Sequence, residues 1–231
     1  MDQTRHPATV IPVGVSACLL GREVRYDGGH RHEPWVTGLL ADRFELVPVC
    51  PEVEAGLGIP RESMRLEGAT ESPRVVVIRT RQDLTATLSG WATGRVTELT
   101  GLAGFVFKSR SPSCGVMGVP LHGHGDDPLP RGRGLFAQAF MDRCPLAPVV
   151  EDTALVDPVQ REQFIQRVVR YHRWLRLPAT LHRDEETKRR WAETQEALDS
   201  VRQGHLIDGE DLFAWMKTWG SDRESDPPPR P

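Results

Sequence analysis

The sequence predicts an α/β fold, in which a mostly parallel β-sheet carries helices on both faces in Rossmann-like layers and a helical extension follows. Short apolar runs of strand length recur through residues 1–150, and stretches with helical periodicity separate several of them. This alternation is typical of a parallel sheet, because two parallel strands need a long crossover connection that a helix usually supplies. Past residue 150 the pattern changes to amphipathic helices.

Five apolar runs predict the strands. The clearest is VVVIRT, whose β-branched side chains favour an extended chain. The predicted strands span residues 10–16, 45–49, 74–80, 104–108 and 148–150. We expect the mostly parallel sheet to be built from them.

Helical periodicity predicts the connecting helices. One spans 35–43 and follows Pro34, a residue type that favours the first turn of a helix. A second spans 83–100, with Asp83 at its N-cap, and a third spans 134–143. In the C-terminal part we predict helices over 158–177, ended by Pro178, over 184–202 and over 207–219.

Two domains follow from this pattern. Residues 1–150 are expected to form the α/β domain, and residues 151–231 a helical extension with a disordered, Pro-rich end. The chain has 29 basic and 32 acidic residues, so it lacks the basic excess expected of a protein that binds a nucleic acid polymer. With no leader-like N-terminus and no apolar run of membrane-spanning length, we expect a cytoplasmic protein without membrane contact.

Three cysteines follow predicted strands. Cys18 lies two positions after the end of the first, Cys50 comes directly after the second, and Cys114 follows the fourth. Ligands of open α/β sheets bind beyond the carboxyl ends of the strands, so these thiols are expected to line one cleft. Three thiols around a cleft favour a metal or iron–sulfur centre with one coordination position left open.

Simpler roles compete with a metal centre. A free cysteine is often a small buried hydrophobic residue, and we assign that role to Cys144, which ends a predicted helix. Disulfides are the other alternative, but a cytosolic chain of this size rarely keeps them. The even number of cysteines therefore does not indicate a disulfide framework.

Three motifs carry a resemblance to a known family. GVSACLLGREVRYDG, PVCPEVEAGLGIPRE and FKSRSPSCG occur in this order and together resemble the thiouracil desulfidase family over roughly residues 10–150. The resemblance implies a [4Fe-4S] cluster held by Cys18, Cys50 and Cys114, whose fourth iron is free to bind the substrate's sulfur. It implies a non-redox reaction that converts thiouracil to uracil and hydrosulfide, with a small thiolated pyrimidine as the substrate.

The resemblance also implies an acidic residue and a serine in catalysis. Glu52 and Ser109 match best, although spacing alone leaves Glu54 open as the acid. Ser111 and Ser113 are the alternatives to Ser109, and their hydroxyls are candidates for contact with the pyrimidine.

The remaining assignments stay open. Asp27 either binds substrate or holds its loop, because Asp-Gly is also an ordinary turn signal. The C-terminal residues resemble, weakly, the end of small bacterial antitoxin-type proteins. The alternative to an enzyme is a metal- or cluster-binding sensor or partner-binding protein without catalysis. The sequence leaves open whether a free base, nucleoside or nucleotide is the substrate, and which oligomer forms.

Overall fold

The computed structural model describes residues 10–123 and 131–176, together with Arg189. Contacts divide the chain into two units, Met1–Arg176 and Leu177–Pro231. The predicted helices over 184–202 and 207–219 and the Pro-rich end lie outside the described residues, apart from Arg189, which is helical and exposed.

The described residues of the first unit form eight strands and four α-helices. The strands are β1 (Pro12–Ser16), β2 (Glu45–Val49), β3 (Met64–Ala69), β4 (Ser72–Val77), β5 (Phe105–Phe107), β6 (Val119–His122), β7 (Arg131–Gly132) and β8 (Val149–Glu151). The helices are α1 (Pro51–Glu54), α2 (Thr85–Glu98), α3 (Leu135–Arg143) and α4 (Pro158–Leu175). None of the helices in this described part is long and apolar enough to cross a membrane.

The larger part of the core surrounds a four-stranded parallel sheet in the order β2-β1-β5-β8. These strands correspond to the predicted strands over 10–16, 45–49, 104–108 and 148–150, and the predicted α/β fold class is confirmed. Their side chains are apolar on both faces because helices cover both, as is usual for a parallel sheet.

One face of this sheet packs against α4 and a short helical turn, Val36–Leu40. The shared cluster consists of buried aliphatic and aromatic side chains, among them Val13, Val15, Val106, Phe164, Ile165 and Val168. Helix α4 packs on this sheet, and the compact unit extends to Arg176.

The opposite face packs against α3 through four phenylalanines. The rings of Phe105 and Phe107 stack with centroids 4.0 Å apart, and Phe140 lies edge-on to Phe105 at 5.2 Å. Gly14 of β1 makes room for this cluster, since a Cβ there would lie 2.3 Å from the Phe105 ring. The sheet therefore has helices on both faces.

The predicted third strand belongs to a different sheet. β4 pairs antiparallel with β3, and the second sheet has the order β4-β3-β6-β7. Two residues, Thr70 and Glu71, connect β3 to β4. That connection is too short for a parallel crossover, so an antiparallel hairpin results. The run over 74–80 was therefore assigned correctly as a strand and incorrectly as part of the parallel sheet.

Two predicted helices differ in detail. The stretch 35–43 forms one π-helical turn, Val36–Leu40, in which the Ala41 amide donates to the Val36 carbonyl at 3.2 Å. Helix α2 begins at Thr85 rather than beside Asp83, but the Asp83 carboxylate accepts from the Thr85 amide at 2.9 Å. Asp83 thus accepts a hydrogen bond from a backbone amide at the start of α2, which is the role of an N-cap side chain.

Candidate functional site

The three predicted thiols line one cleft at the carboxyl ends of the parallel strands. Cys18 lies in the 3-10 turn after β1, Cys50 lies between β2 and α1, and Cys114 lies in the loop after β5. All three are buried, unpaired as disulfides, and face a cavity of about 570 Å³. Cys144, at the end of α3, is buried too but is not among the residues lining it.

Burial holds these thiols in their protonated form. It raises the pKa of Cys18 to about 11 and that of Cys50 to about 12, and the charge of Glu52 adds to both shifts. Burial and Glu52 raise the pKa of Cys114 well above its usual value, and the other two cysteines add to that rise. A bound cation would replace these protons.

The donor set suits a cluster better than a single ion. Among the described residues, no group of three His, Cys, Asp or Glu side chains comes close enough to hold one metal ion. In an iron–sulfur cluster the cysteines ligate different irons, so their sulfurs need not converge on a point. Three separate thiols around one cleft meet that requirement.

Local hydrogen bonds to a serine side chain fix the loop that carries Cys114. Ser111 Oγ accepts from the amides of Ser113 at 3.2 Å and of Cys114 at 3.0 Å. The backbone packs tightly at Gly115, because a Cβ there would lie 3.0 Å from the Ser111 carbonyl oxygen. The loop geometry therefore depends on Ser111 as well as on the ligand beside it.

Glu151 anchors the other side of the same loop. Its Oε1 accepts from the amides of Val116 at 2.7 Å and Met117 at 3.1 Å. Glu151 was not predicted as a site residue. Its position in PVVED, directly after a predicted strand, was the available signal.

The two candidate acids have different surroundings. Glu52 is buried and lines the cleft, with Oε2 at 3.5 Å from Cys50 Sγ, which donates to it. Glu54 Oε1 accepts from the Cys50 amide and its Oε2 from Arg95 Nε, both at 3.0 Å. Glu54 is not among the cleft-lining residues, whereas Glu52 is.

Arg61 lies beside Glu52 and was missed at the level of sequence. Its Nη2 lies 3.8 Å from Glu52 Oε2, and its Nη1 donates to the carbonyls of Val24 and Gly58. Among the described residues its buried Nε has no hydrogen-bond partner. The motif PVCPEVEAGLGIPRE contains this arginine, but only the fold brings it next to Glu52.

The cleft carries an excess of positive charge. Among the described residues lining it, one is acidic, Glu52, and five are basic: Arg25, Arg31, Arg61, Lys108 and Arg110. Such a surface stabilises the negative charge of thiolates bound to iron and attracts anionic groups.

Ser109 lies in the cleft within a network of two charged side chains. Its Oγ accepts from Lys108 Nζ at 2.8 Å, and its amide donates to Asp152 Oδ1 at 2.7 Å. Lys108 Nζ also donates to Asp152 Oδ2 at 2.8 Å. Burial alone would raise the pKa of Asp152, but hydrogen bonds from Lys108 and Ser109 outweigh it and lower that pKa.

Of the three residues predicted to contact the substrate, one lines the cleft and two do not. Ser111 lines the cleft, whereas Ser113 is fully buried behind it, with an Oγ that has no partner among the described residues. Asp27 is exposed and absent from the cleft lining. A hydrogen bond from Arg25 lowers its pKa, and its carboxylate accepts from the Gly29 amide at 3.1 Å. This geometry supports the loop-holding role for Asp27.

Family models match two parts of the chain. The model described as 2-thiouracil desulfurase matches residues 13–152, which include all three cleft cysteines, Glu52 and Ser109. The model described as the antitoxin RelB3 C-terminal domain matches residues 192–231, which lie outside the described residues.

Individual relatives agree with the first match. An uncharacterized protein of Bacillus subtilis (strain 168), YbbK, is 32% identical over 108 residues, which cover 44% of this chain and 71% of that protein. Among solved structures, a [4Fe-4S]-dependent thiouracil desulfidase, TudS, superposes with a TM-score of 0.52 at 28% identity. That match covers 66% of this chain and 98% of the other.

Proposed function

The chain belongs to the 2-thiouracil desulfurase family, and from that premise we propose that it is a [4Fe-4S]-dependent desulfidase acting on a thiolated pyrimidine. The reaction replaces sulfur by the oxygen of water, so that thiouracil and water give uracil and hydrogen sulfide without net oxidation or reduction. One observation carries the proposal. Three buried, free cysteines, a buried carboxylate and a serine hydroxyl line the same cleft.

Cys18, Cys50 and Cys114 would hold the cluster as thiolates. Their donor chemistry fits, because each thiol is free and follows a different strand at the same edge of the sheet. A bound [4Fe-4S] cluster with three protein ligands would supply an iron with an open position, a Lewis acid for the substrate's sulfur. The basic residues lining the cleft would offset the negative charge that the thiolates bring.

Glu52 is proposed as the general acid/base. Its carboxylate is buried in the cleft and adjacent to a proposed ligand, so it would lie close to the carbon that loses sulfur. As a base it takes a proton from the water whose oxygen bonds to that carbon. It then returns this proton to the departing sulfur or to a ring nitrogen, which leaves the carboxylate unchanged after one turnover.

Ser109 is proposed as the second catalytic residue. Its hydroxyl lies in the cleft, and the contact with Lys108 fixes its oxygen. There it would orient the water or the substrate ring by a hydrogen bond. Ser111, which also lines the cleft, is proposed to contact the pyrimidine.

Anaerobic reconstitution followed by a product assay tests this function. Protein loaded with iron and sulfide should convert a thiopyrimidine to the corresponding pyrimidine with one sulfide released per turnover. Thiouracil, its nucleoside and its nucleotide are assayed separately, because the family alone leaves the size of the substrate open. If the cluster-loaded protein desulfurises none of the three compounds, the proposed enzymatic activity is contradicted and the sensor or partner-binding alternative is favoured.

A further inference from the structure

Three neighbouring strands of the parallel sheet end at one group of polar side chains. Ser16 is the last residue of β1, Lys108 follows β5, and Asp152 follows β8. The Lys108 amide donates to Ser16 Oγ at 2.9 Å, so the ends of β1 and β5 are joined directly. Lys108 and Asp152 lie 44 residues apart in the sequence and are brought together by the pairing of β5 with β8.

The Lys108 ammonium is held by three hydrogen bonds. It donates to Ser109 Oγ and to Asp152 Oδ2, both at 2.8 Å, and to the Ser109 carbonyl at 3.2 Å. A lysine ammonium has three N–H donors, so all of them are used. Both charged side chains are largely buried, with exposed fractions of 19% for Lys108 and 13% for Asp152. An ion pair so placed is shielded from solvent and has little freedom to rearrange.

The same two side chains hold Ser109 at two points. Asp152 Oδ1 accepts from its amide at 2.7 Å, which fixes the backbone, and Lys108 Nζ donates to Oγ, which selects the side-chain rotamer. Without the ammonium, the serine hydroxyl would lose the charged donor that favours this rotamer over the other staggered ones. Ser109 is also 6% exposed, so there is little water to replace a lost partner.

We propose that Lys108 and Asp152 are positioning residues that hold the Ser109 hydroxyl in its working orientation, an inference that rests on the proposed desulfidase function. Neither side chain is required to exchange a proton with the substrate in this role. Their contribution is to fix one hydroxyl before the reaction begins, which removes the cost of orienting it during the reaction. Loss of either partner should therefore reduce kcat while substrate binding stays near normal.

Kinetics of matched variants test the role. Lys108→Met keeps an unbranched side chain, one atom shorter and without donors, and Asp152→Asn keeps the shape of the aspartate without its charge. Each should lower kcat by about 10- to 100-fold with KM changed less than about threefold, and with the iron content of the wild type. Arg81→Met is the control, because it breaks another cation–carboxylate pair, with Glu67, outside the cleft. It should leave kcat unchanged.

A double-mutant cycle separates positioning from a general structural effect. If Lys108 acts through Ser109, Lys108→Met should cause no further loss of kcat in a Ser109→Ala background. Additive losses would overturn the proposal, as would near-normal kcat in both single variants. Iron content and melting temperature that fall in parallel with activity in both Lys108→Met and Asp152→Asn would also overturn it.

A measurement independent of turnover tests the geometry itself. The chain has three lysines, so ¹⁵N-lysine labelling gives few ammonium signals, and Lys108→Met assigns the one of interest. The Lys108 ammonium hydrogens should exchange slowly with water in the wild type and at least about tenfold faster in Asp152→Asn and Ser109→Ala. Fast exchange in the wild type would overturn the proposal. If the wild type turns over no thiopyrimidine, the proposed function fails, and this measurement still decides whether the ammonium is fixed.

Discussion

The carboxylate of Glu52 and the thiol of Cys50 are in direct contact, with Oε2 and Sγ 3.5 Å apart in a buried part of the cleft. They lie two positions apart in the sequence, and Pro51 between them is the first residue of α1. The proposed acid/base therefore lies beside a proposed cluster ligand because the chain turns from β2 into α1 at that point. The same turn directs Glu54 away from the cleft to Arg95.

Glu52→Gln should separate chemistry from assembly. Glutamine keeps the size and much of the hydrogen bonding of the side chain but cannot titrate, so the cluster should be retained while turnover falls by roughly 10²- to 10⁴-fold. Iron content and kcat are measured on the same preparation. Glu54→Gln is the matched control and should keep most activity; an inactive Glu54→Gln beside an active Glu52→Gln would reverse the assignment.

The cysteine ligands can be tested by iron content alone. Wild-type protein should load about four irons per chain, as one cubane cluster requires. Serine substitution of Cys18, Cys50 or Cys114 should each abolish stable loading, whereas Cys144→Ser should load normally because this residue lies outside the cleft lining. Full loading of Cys114→Ser, measured by iron analysis and absorbance under argon, would contradict the ligand set.

Acid stability should depend on Glu67. Hydrogen bonds from Arg81 are the main cause of a pKa lowered to about 2, and Arg65 contributes to it. Because the carboxyl binds protons more weakly in the folded state, its stabilisation is present above about pH 4.5 and is lost as the pH falls toward 2. Glu67→Gln should lower the free energy of unfolding at pH 7 and reduce its dependence on pH in that window.

The control for that measurement is Glu71→Gln, in the adjacent exposed turn. It should leave the pH dependence of unfolding unchanged. Denaturant titrations between pH 2 and 7 compare the wild type and the two variants. If the free energy of unfolding of Glu67→Gln depends on pH as steeply as that of the wild type, the role of the Glu67–Arg81 pair is contradicted.

Gly14→Ala should destabilise the sheet. The added methyl group would lie 2.3 Å from the Phe105 ring, so the phenylalanine cluster must shift, at a cost of about 1–3 kcal/mol. Gly94→Ala in α2 is the matched control, since nothing lies within 4 Å of its added methyl group. It should stabilise the protein by about 0.5–1 kcal/mol through helix propensity. Chemical denaturation measures both, and equal stability of the two variants would contradict the packing argument.

Truncation tests what the C-terminal part contributes. All proposed ligands and catalytic groups lie in the unit Met1–Arg176, so a protein ending at Pro178 should keep the cluster and measurable desulfidase activity. Iron content, melting temperature and turnover of the truncated and full-length proteins are compared under argon. A stable, cluster-loaded but inactive truncation would show that the C-terminal part belongs to the site.

Local sequence was sufficient for most of the elements and for the three thiols. Apolar runs gave the strands of the parallel sheet, and helical periodicity gave α2, α3 and α4, because burial imposes a period on local sequence. Cys18, Cys50 and Cys114 could be grouped since parallel strands present their carboxyl ends at one edge. The strands β3 and β6 were missed because Glu67 and Pro120 interrupt their apolar residues.

The sequence by itself determined the α/β class, the family motifs and the residue types available to the cleft. The tertiary structure placed Glu52 in the cleft and Glu54 beside Arg95, because two residues that lie two positions apart in a helix are rotated by about 200°. It also brought Asp152 to Lys108 and Ser109, a contact that has no local signature because it depends on the pairing of β5 with β8. Local patterns record whether a side chain is buried, whereas the partner it meets across many residues is set by the packing of the whole sheet.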